Sequence, residues 1–165
     1  MQDDMEKIQS VYYTFLVSWP LCYGYWKKYA DAFIRHSSPG QATLVYERAV
    51  IATPYSVDIW VHYITHLKSL PETTPEALRR WGIPCVPQAS SSIETGCSSL
   101  CCLCSAYEQV VSAVGTDYLA SAVWDKYLAF EEEQASVQGN RAVLISLYSR
   151  ILTIPQRDLD KYYQG

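Results

Sequence analysis

Apolar residues recur along most of this chain with the period of an α-helix. Met5, Ile8, Val11, Tyr12, Phe15 and Leu16 fall three or four apart, so the spacing predicts a helix over about 4–18 with one apolar stripe. A second helix is predicted over about 21–35, with Cys22, Tyr25, Trp26, Tyr29 and Phe33 inward and Lys28, Asp31 and Arg35 outward. Asp31 and Arg35 stand at i, i+4 with the acid first, the better orientation for an ion pair. Ser37-Ser38-Pro39-Gly40 is a turn. A third helix over about 41–53 turns Leu44, Val45, Ala49 and Val50 inward. A fourth over about 56–70 buries Trp60, Tyr63, Ile64 and Leu67, with Ser56 as N-cap and Asp58 suited to the first turn.

Residues 71–104 break the pattern. Pro71, Pro75, Pro84 and Pro87 exclude a long helix, and Ser90-Ser91-Ser92 and Gly96 add loop character. This Cys/Ser/Pro-rich stretch is an irregular insert, read equally as intron-derived or splice-variant sequence or as a tolerated loop. Helices resume over about 105–115 and about 121–134, the latter burying Trp124, Tyr127 and Leu128. One more, with Asn140 as a candidate cap, runs to Pro155, and 156–165 opens a further helix.

The helices repeat. Trp26-x-x-Tyr29, Trp60-x-x-Tyr63 and Trp124-x-x-Tyr127 each put two aromatics on one helical face. Each of these helices is followed by one headed by a tyrosine: Tyr46 in VYERAV, Tyr107 in AYEQVV and Tyr148 in LYSRIL. Pro54, Gly115 and Pro155 stop those helices, and Tyr12 with Pro20 forms a lone copy at the start. Trp26 and Trp60 are 34 residues apart, as are Pro20 and Pro54, the period of a helix-pair solenoid. The expected fold is therefore all-α, an antiparallel helix-pair solenoid in a right-handed superhelical stack. The array reads as one domain: 1–20 a partial repeat, 21–54 a repeat, 55–115 a repeat interrupted by the insert 71–104, 116–155 a repeat, and 156–165 the start of a further helix. The stack is expected to be poorly capped at its ends. Its repeat-packing residues are Trp26, Tyr29, Tyr46, Trp60, Tyr63, Tyr107, Trp124, Tyr127 and Tyr148.

The Trp-x-x-Tyr helix followed by a Tyr-Glu-Arg-Ala type helix and a terminal proline resembles the half-a-TPR (HAT) repeat of RNA-processing proteins. The runs Ser10 to Asp31, Tyr55 to Tyr63, Val114 to Glu131 and Leu147 to Tyr163 carry the likeness to members associated with the U1 snRNP. The resemblance implies a nuclear, non-enzymatic scaffold that needs no cofactor, holds U1 snRNP proteins and helps 5′ splice-site recognition in pre-mRNA splicing. It also implies further repeats that carry dimerisation in longer members. HAT first helices often carry an acid seven residues after the tryptophan. Glu131 fits, whereas Phe33 and Leu67 occupy the other two places. The family pattern implies that Glu131 pairs with Arg150.

Composition narrows the alternatives. Of 165 residues 49% are apolar, enough for a core that buries about 70% of the unfolded chain's surface. Seventeen acids against thirteen bases give a net charge of −4, which argues against a stand-alone nucleic-acid binder. No apolar run approaches a membrane span, and the polar start, Met1 to Lys7, does not read as a signal peptide. The chain is expected to be intracellular with reduced cysteines. No Gly-rich phosphate loop, nucleophile elbow or H-E-x-x-H appears.

The candidate metal ligands are Cys97, Cys101, Cys102 and Cys104, crowded for a tetrahedral site, and His62 with His66 at i, i+4. The expectation is an oxidation-prone loop for the cysteines and a solvated outer face for the histidines. The partner-surface candidates are Tyr25, Lys27, Lys28, Arg35 and Asp58. Against the scaffold stand two other readings, a Cys/His metal-binding helical module and an RNA-binding repeat protein with indirect RNA contact as the default.

Overall fold

A computed structural model describes residues 2–70, 99–138 and 141–163, with side chains over 5–70, 103–136 and 141–163. The described residues form eight helices and no strand: α1 (Gln2–Ser18), α2 (Tyr23–Arg35), α3 (Pro39–Ala52), α4 (Val57–Ser69), α5 (Ser99–Val114), α6 (Ser121–Gln138), α7 (Ala142–Leu152) and α8 (Leu159–Tyr163). No helix among them is long and apolar enough to cross a membrane. The chain divides into two compact units, Met1–Thr74 and Pro75–Gly165.

In the first unit α2 packs on α1, α3 and α4, and α3 packs on α4. The connections are three or four residues long, which makes successive helices antiparallel neighbours. The turn after α2 shows how the sequence sets this up. Ser37 adopts φ 56°, and Ser38 N–H and Ser37 N–H donate to the carbonyls of Phe33 (3.0 Å) and Ile34 (3.1 Å). That pair of bonds satisfies the last carbonyls of α2 in the manner of a glycine-type C-cap. Pro39 then opens α3 at a position where its missing N–H costs nothing. The core is Trp26, Tyr29, Ala30 and Phe33 from α2, Val45, Tyr46, Ala49 and Val50 from α3, and Ile59, Trp60, Tyr63, Ile64 and Leu67 from α4.

In the second unit α6 packs on α5 and α7, and α7 on α8. Leu103, Tyr107, Val110, Trp124, Tyr127, Leu128, Phe130, Leu147 and Ile151 are buried there. The tail forms the expected helix α8, whose buried Tyr162 hydroxyl donates to Asp125 Oδ1 (2.8 Å) and Ser121 O (3.3 Å) of α6.

Several sequence expectations are corrected. α5 begins at Ser99 rather than near 105, so Cys101, Cys102 and Cys104 lie on a helix and not in a loop. Leu103 anchors that extension in the core. α6 runs to Gln138, which places Glu131-Glu132-Glu133 in its interior. In α1 only Leu16 of the apolar stripe is fully buried, and Val11 is exposed. Tyr25 is exposed and Cys22 half-buried, because the indole of Trp26 takes the inward position. Asp31 pairs with Lys27, one turn before it, at 2.7 Å, while Arg35 donates to the Asp31 main-chain carbonyl at 3.3 Å. Ser56 stands at the N-cap of α4 without a side-chain capping bond. Asn140, Cys97, the prolines at 71, 75, 84 and 87 and the serines at 90–92 lie outside the described residues.

Candidate interaction surface

The aromatic repeat makes one joint three times. Each Trp indole N–H donates to the main-chain carbonyl of the residue that stops the preceding helix: Trp26 to Pro20 (2.8 Å), Trp60 to Pro54 (2.7 Å) and Trp124 to Gly115 (3.0 Å). Each indole thus gives a turn carbonyl a donor while its rings fill the core. The tyrosine of each Trp-x-x-Tyr pair meets the tyrosine heading the previous helix. Tyr12 stacks on Tyr29 (centroids 5.0 Å apart), Tyr46 lies tilted on Tyr63 (6.1 Å), and Tyr107 stacks on Tyr127 (4.9 Å). Burial raises the pKa of the Tyr46 and Tyr107 phenols to about 12, with Asp31 adding to the first and Glu133, Cys104 and Glu131 to the second. Tyr148 is only half-buried, and its phenol is raised by burial and by Glu132.

Gly115 is required at its joint. A methyl group there would meet the carbonyl oxygen and Cγ1 of Val111 in the last turn of α5. Gly115 N–H closes that turn onto the same carbonyl at 2.8 Å.

Polar groups lock the helices sideways. His66, expected on a solvated face, is buried between α4 and α3. Its Nε2 lies 2.9 Å from Thr43 Oγ1 and 3.3 Å from the Pro39 carbonyl oxygen, an arrangement in which Nε2–H donates to both. Burial lowers its pKa, partly offset by the bond to Pro39. The signal was present in the sequence, since Ile59, Tyr63 and His66 are spaced along one helical face. His62 is half-buried. No group of three or more His, Cys, Asp or Glu side chains among the described residues is arranged to hold a metal ion. The side chains of Cys97, Cys101 and Cys102 lie outside those residues.

Arg150 does not pair with Glu131. Its Nη1 donates to both oxygens of Glu108, at 2.7 and 3.0 Å, and its guanidinium lies 5.7 Å from the Trp124 ring centroid. Glu108 also accepts from the Tyr127 hydroxyl at 2.9 Å. Glu131 is buried and accepts from Cys104 Sγ at 3.5 Å. Burial pushes its carboxyl up, the Cys104 bond opposes this, and the charge of Glu108 adds to it. The Glu that follows the repeat tyrosine thus takes the arginine, because Glu131 points to the apolar side of α6.

Several exposed apolar side chains crown the turns. Leu21 and Tyr55, each directly after a helix-stopping proline, and Tyr118 with Leu119 after Gly115 are exposed. Tyr55 is 83% exposed. Beside Leu21 stand the exposed Trp19, Tyr23 and Tyr25, with the Lys28 ammonium 5.0 Å from the Tyr25 ring centroid. Lys27 is half-buried and tied to Asp31, whereas Arg35 and Asp58 are exposed. A small cleft of about 70 Å³ between α1, α2 and α3 is lined by Tyr13, Leu16, Val17, Trp26, Tyr29 and Arg48.

Buried aromatic joints beneath exposed apolar turns define a helical-repeat protein. The comparisons place it within that class. A family model described as PRP39 N-terminal HAT repeat matches residues 1–165, and the chain belongs to that family. It is 35% identical over 150 residues to Pre-mRNA-processing factor 39 of Danio rerio, covering 91% of this chain and 17% of the relative. The corresponding Homo sapiens protein gives 35% over 150 residues, 91% and 19%. Pre-mRNA-processing factor 39-2 of Arabidopsis thaliana gives 32% over 163 residues, 99% and 13%. The chain therefore spans less than a fifth of the length of these relatives.

Proposed function

We propose that this chain is a non-enzymatic docking platform in pre-mRNA splicing, acting in the nucleus on U1 snRNP proteins during 5′ splice-site recognition. Membership of the PRP39 N-terminal HAT family carries this reading. It is supported by the apolar side chains left exposed on the turns, Leu21 and Tyr55 above all, beside repeat tryptophans that are themselves buried. The candidate contact residues Tyr25, Lys27, Lys28, Arg35 and Asp58 belong to the same first unit, and the repeat boundaries at 21–54, 55–115 and 116–155 belong to the proposal too. Direct RNA binding is disfavoured, because all three repeat indoles are buried and the net charge is −4.

Affinity capture from nuclear extract, read by immunoblotting for U1 snRNP proteins, tests the reading. The wild-type chain should enrich them after nuclease treatment, and Leu21→Asp with Tyr55→Asp should lose that enrichment without losing helicity. Capture that disappears with nuclease, or that never includes U1 snRNP proteins, would refute it.

A further inference from the structure

Each unit carries a stacked tyrosine joint, and the surroundings of the two joints differ at one position. In the second unit Glu108 follows Tyr107 of α5, and Arg150 stands two places after Tyr148 of α7. The Glu108 carboxylate accepts there from the Arg150 guanidinium (2.7 and 3.0 Å) and from the Tyr127 hydroxyl of α6 (2.9 Å), with the guanidinium 5.7 Å from the Trp124 ring centroid. In the first unit the same register falls on α1, α2 and α3. Tyr29 stacks on Tyr12 as Tyr127 does on Tyr107, with centroids 5.0 and 4.9 Å apart. Trp26 and Arg48 take the places of Trp124 and Arg150, and Tyr13 takes the place of Glu108.

The donors are thus repeated and the acceptor is not. Among the described residues, neither the Arg48 guanidinium nor the Tyr29 hydroxyl has a hydrogen-bond or ion-pair partner. The two lie close together, since the charge of Arg48 lowers the Tyr29 phenol pKa that burial raises. Both line the cleft of about 70 Å³, with Leu16 and Trp26 as its buried floor and Tyr13 and Val17, 59% and 65% exposed, on its rim. That volume is under half of the roughly 150 Å³ that takes a benzene ring, and it suits a carboxylate with its methylenes.

We propose that this cleft is a receptor for an acidic side chain of a partner polypeptide, a Glu or Asp flanked by an apolar residue, whose carboxylate accepts from Arg48 and Tyr29 in the place that Glu108 fills in the second unit. The guanidinium sets the charge of the occupant, and a charged acceptor makes the stronger bonds to these two donors. An exposed ion pair alone contributes little, so the apolar flank, laid on Val17 and Tyr13, supplies the remaining contact. Further repeats would not close the cleft. A first helix preceding α1 would pack on α1 as α2 packs on α3, and on α2 as α2 packs on α4, which leaves the space between α1 and α3 free. The receptor stands or falls apart from the splicing reading, because it specifies the chemistry of the occupant and not its source complex.

The probe is the peptide acetyl-Leu-Glu-Leu-amide, titrated into the ¹⁵N-labelled 165-residue chain and followed by the Trp26 indole N–H and Arg48 Nε–H resonances. Both should shift saturably. Acetyl-Leu-Gln-Leu-amide and sodium acetate should each bind at least fivefold more weakly, and Arg48→Gln should weaken binding of the Glu peptide by as much. Tyr13→Glu supplies the carboxylate from α1 itself. It should block the peptide, and it should raise the urea midpoint in the wild-type background but not in the Arg48→Gln background. Tyr13 and Arg48 are both exposed, and far-UV circular dichroism checks that the variants keep the fold. Equal binding of the Glu and Gln peptides would overturn the proposal, leaving only an apolar cleft. Acetate binding as tightly as the peptide would overturn it in favour of free anions. Undiminished peptide binding in Tyr13→Glu, or no saturable shift at all, would overturn it as well.

Discussion

Replacing Trp124 by phenylalanine isolates the joint from the general need for a large ring. The Trp124 ring is 0% exposed and its N–H···O bond to Gly115 is buried. Trp124→Phe leaves the Gly115 carbonyl without this donor, in a place water does not reach, at a cost of about 1–3 kcal/mol. The smaller ring also forgoes burial on the order of 50 Å² of apolar surface, about 1.3 kcal/mol at 25 cal/mol/Å². Together these give about 2–4 kcal/mol. At about 4–8 °C per kcal/mol for a unit of this size, the midpoint of thermal unfolding should fall by about 10 °C or more. Urea unfolding followed at 222 nm gives the free energy directly, with an unchanged slope showing that the unfolded state is the same. Trp19→Phe is the internal control. Trp19 is exposed, and its replacement should stay within about 0.5 kcal/mol of wild type. If the two variants differ by less than about 1 kcal/mol, the indole bond is not what fastens the turn to the helix.

Four further outcomes follow from the same geometry. A double-mutant cycle of Glu108→Ala and Arg150→Ala should show coupling of about 0.5–1 kcal/mol, as befits a half-exposed pair, and the cycle of Glu131→Ala with Arg150→Ala should be additive. His66 has a native pKa lowered below its unfolded value of 6.5, so the unfolded chain takes up the proton first. Stability should therefore be full above about pH 6.5 and decline below it, and a His66→Gln variant should lack that part of the decline in urea midpoints. Gly115→Ala should cost about 1–3 kcal/mol through collision with Val111, whereas Gly24→Ala, with open space around it in α2, should gain about 0.5–1 kcal/mol in the same unfolding assay. Tyr46 and Tyr107 should escape ionisation until about pH 12 in a titration followed at 295 nm. Stability should fall once the pH rises above about 10, where only the unfolded phenols lose their protons.

The helices and their aromatic cores were legible because Trp-x-x-Tyr and its partner tyrosine recur at helical spacing, and period and burial are two readings of one fact. The interactions between helices were less legible, and for different reasons. Glu131 lies near Trp124 in register, but the choice between Glu108 and Glu131 as partner of Arg150 depends on which carboxylate faces water. His66 reads as solvated by residue type alone, whereas its place after Ile59 and Tyr63 puts it on the buried face. Val11 reads as core in any helical pattern but is 69% exposed, because an apolar period marks a face without saying what packs on it. The start of α5 at Ser99 was hidden by cysteine and serine, which carry little helical signal of their own.

The indole donors all end on peptide carbonyls, an atom every amino acid brings to its position. Such a fastening is blind to side-chain identity at the turn, apart from what the close approach at Gly115 demands. The neighbouring positions that bear Leu21, Tyr55 and Tyr118 can then be rewritten, charge for ring or ring for charge, while the scaffold beneath keeps its grip. A molecule assembled this way can change whom it recognises without renegotiating how it stands up.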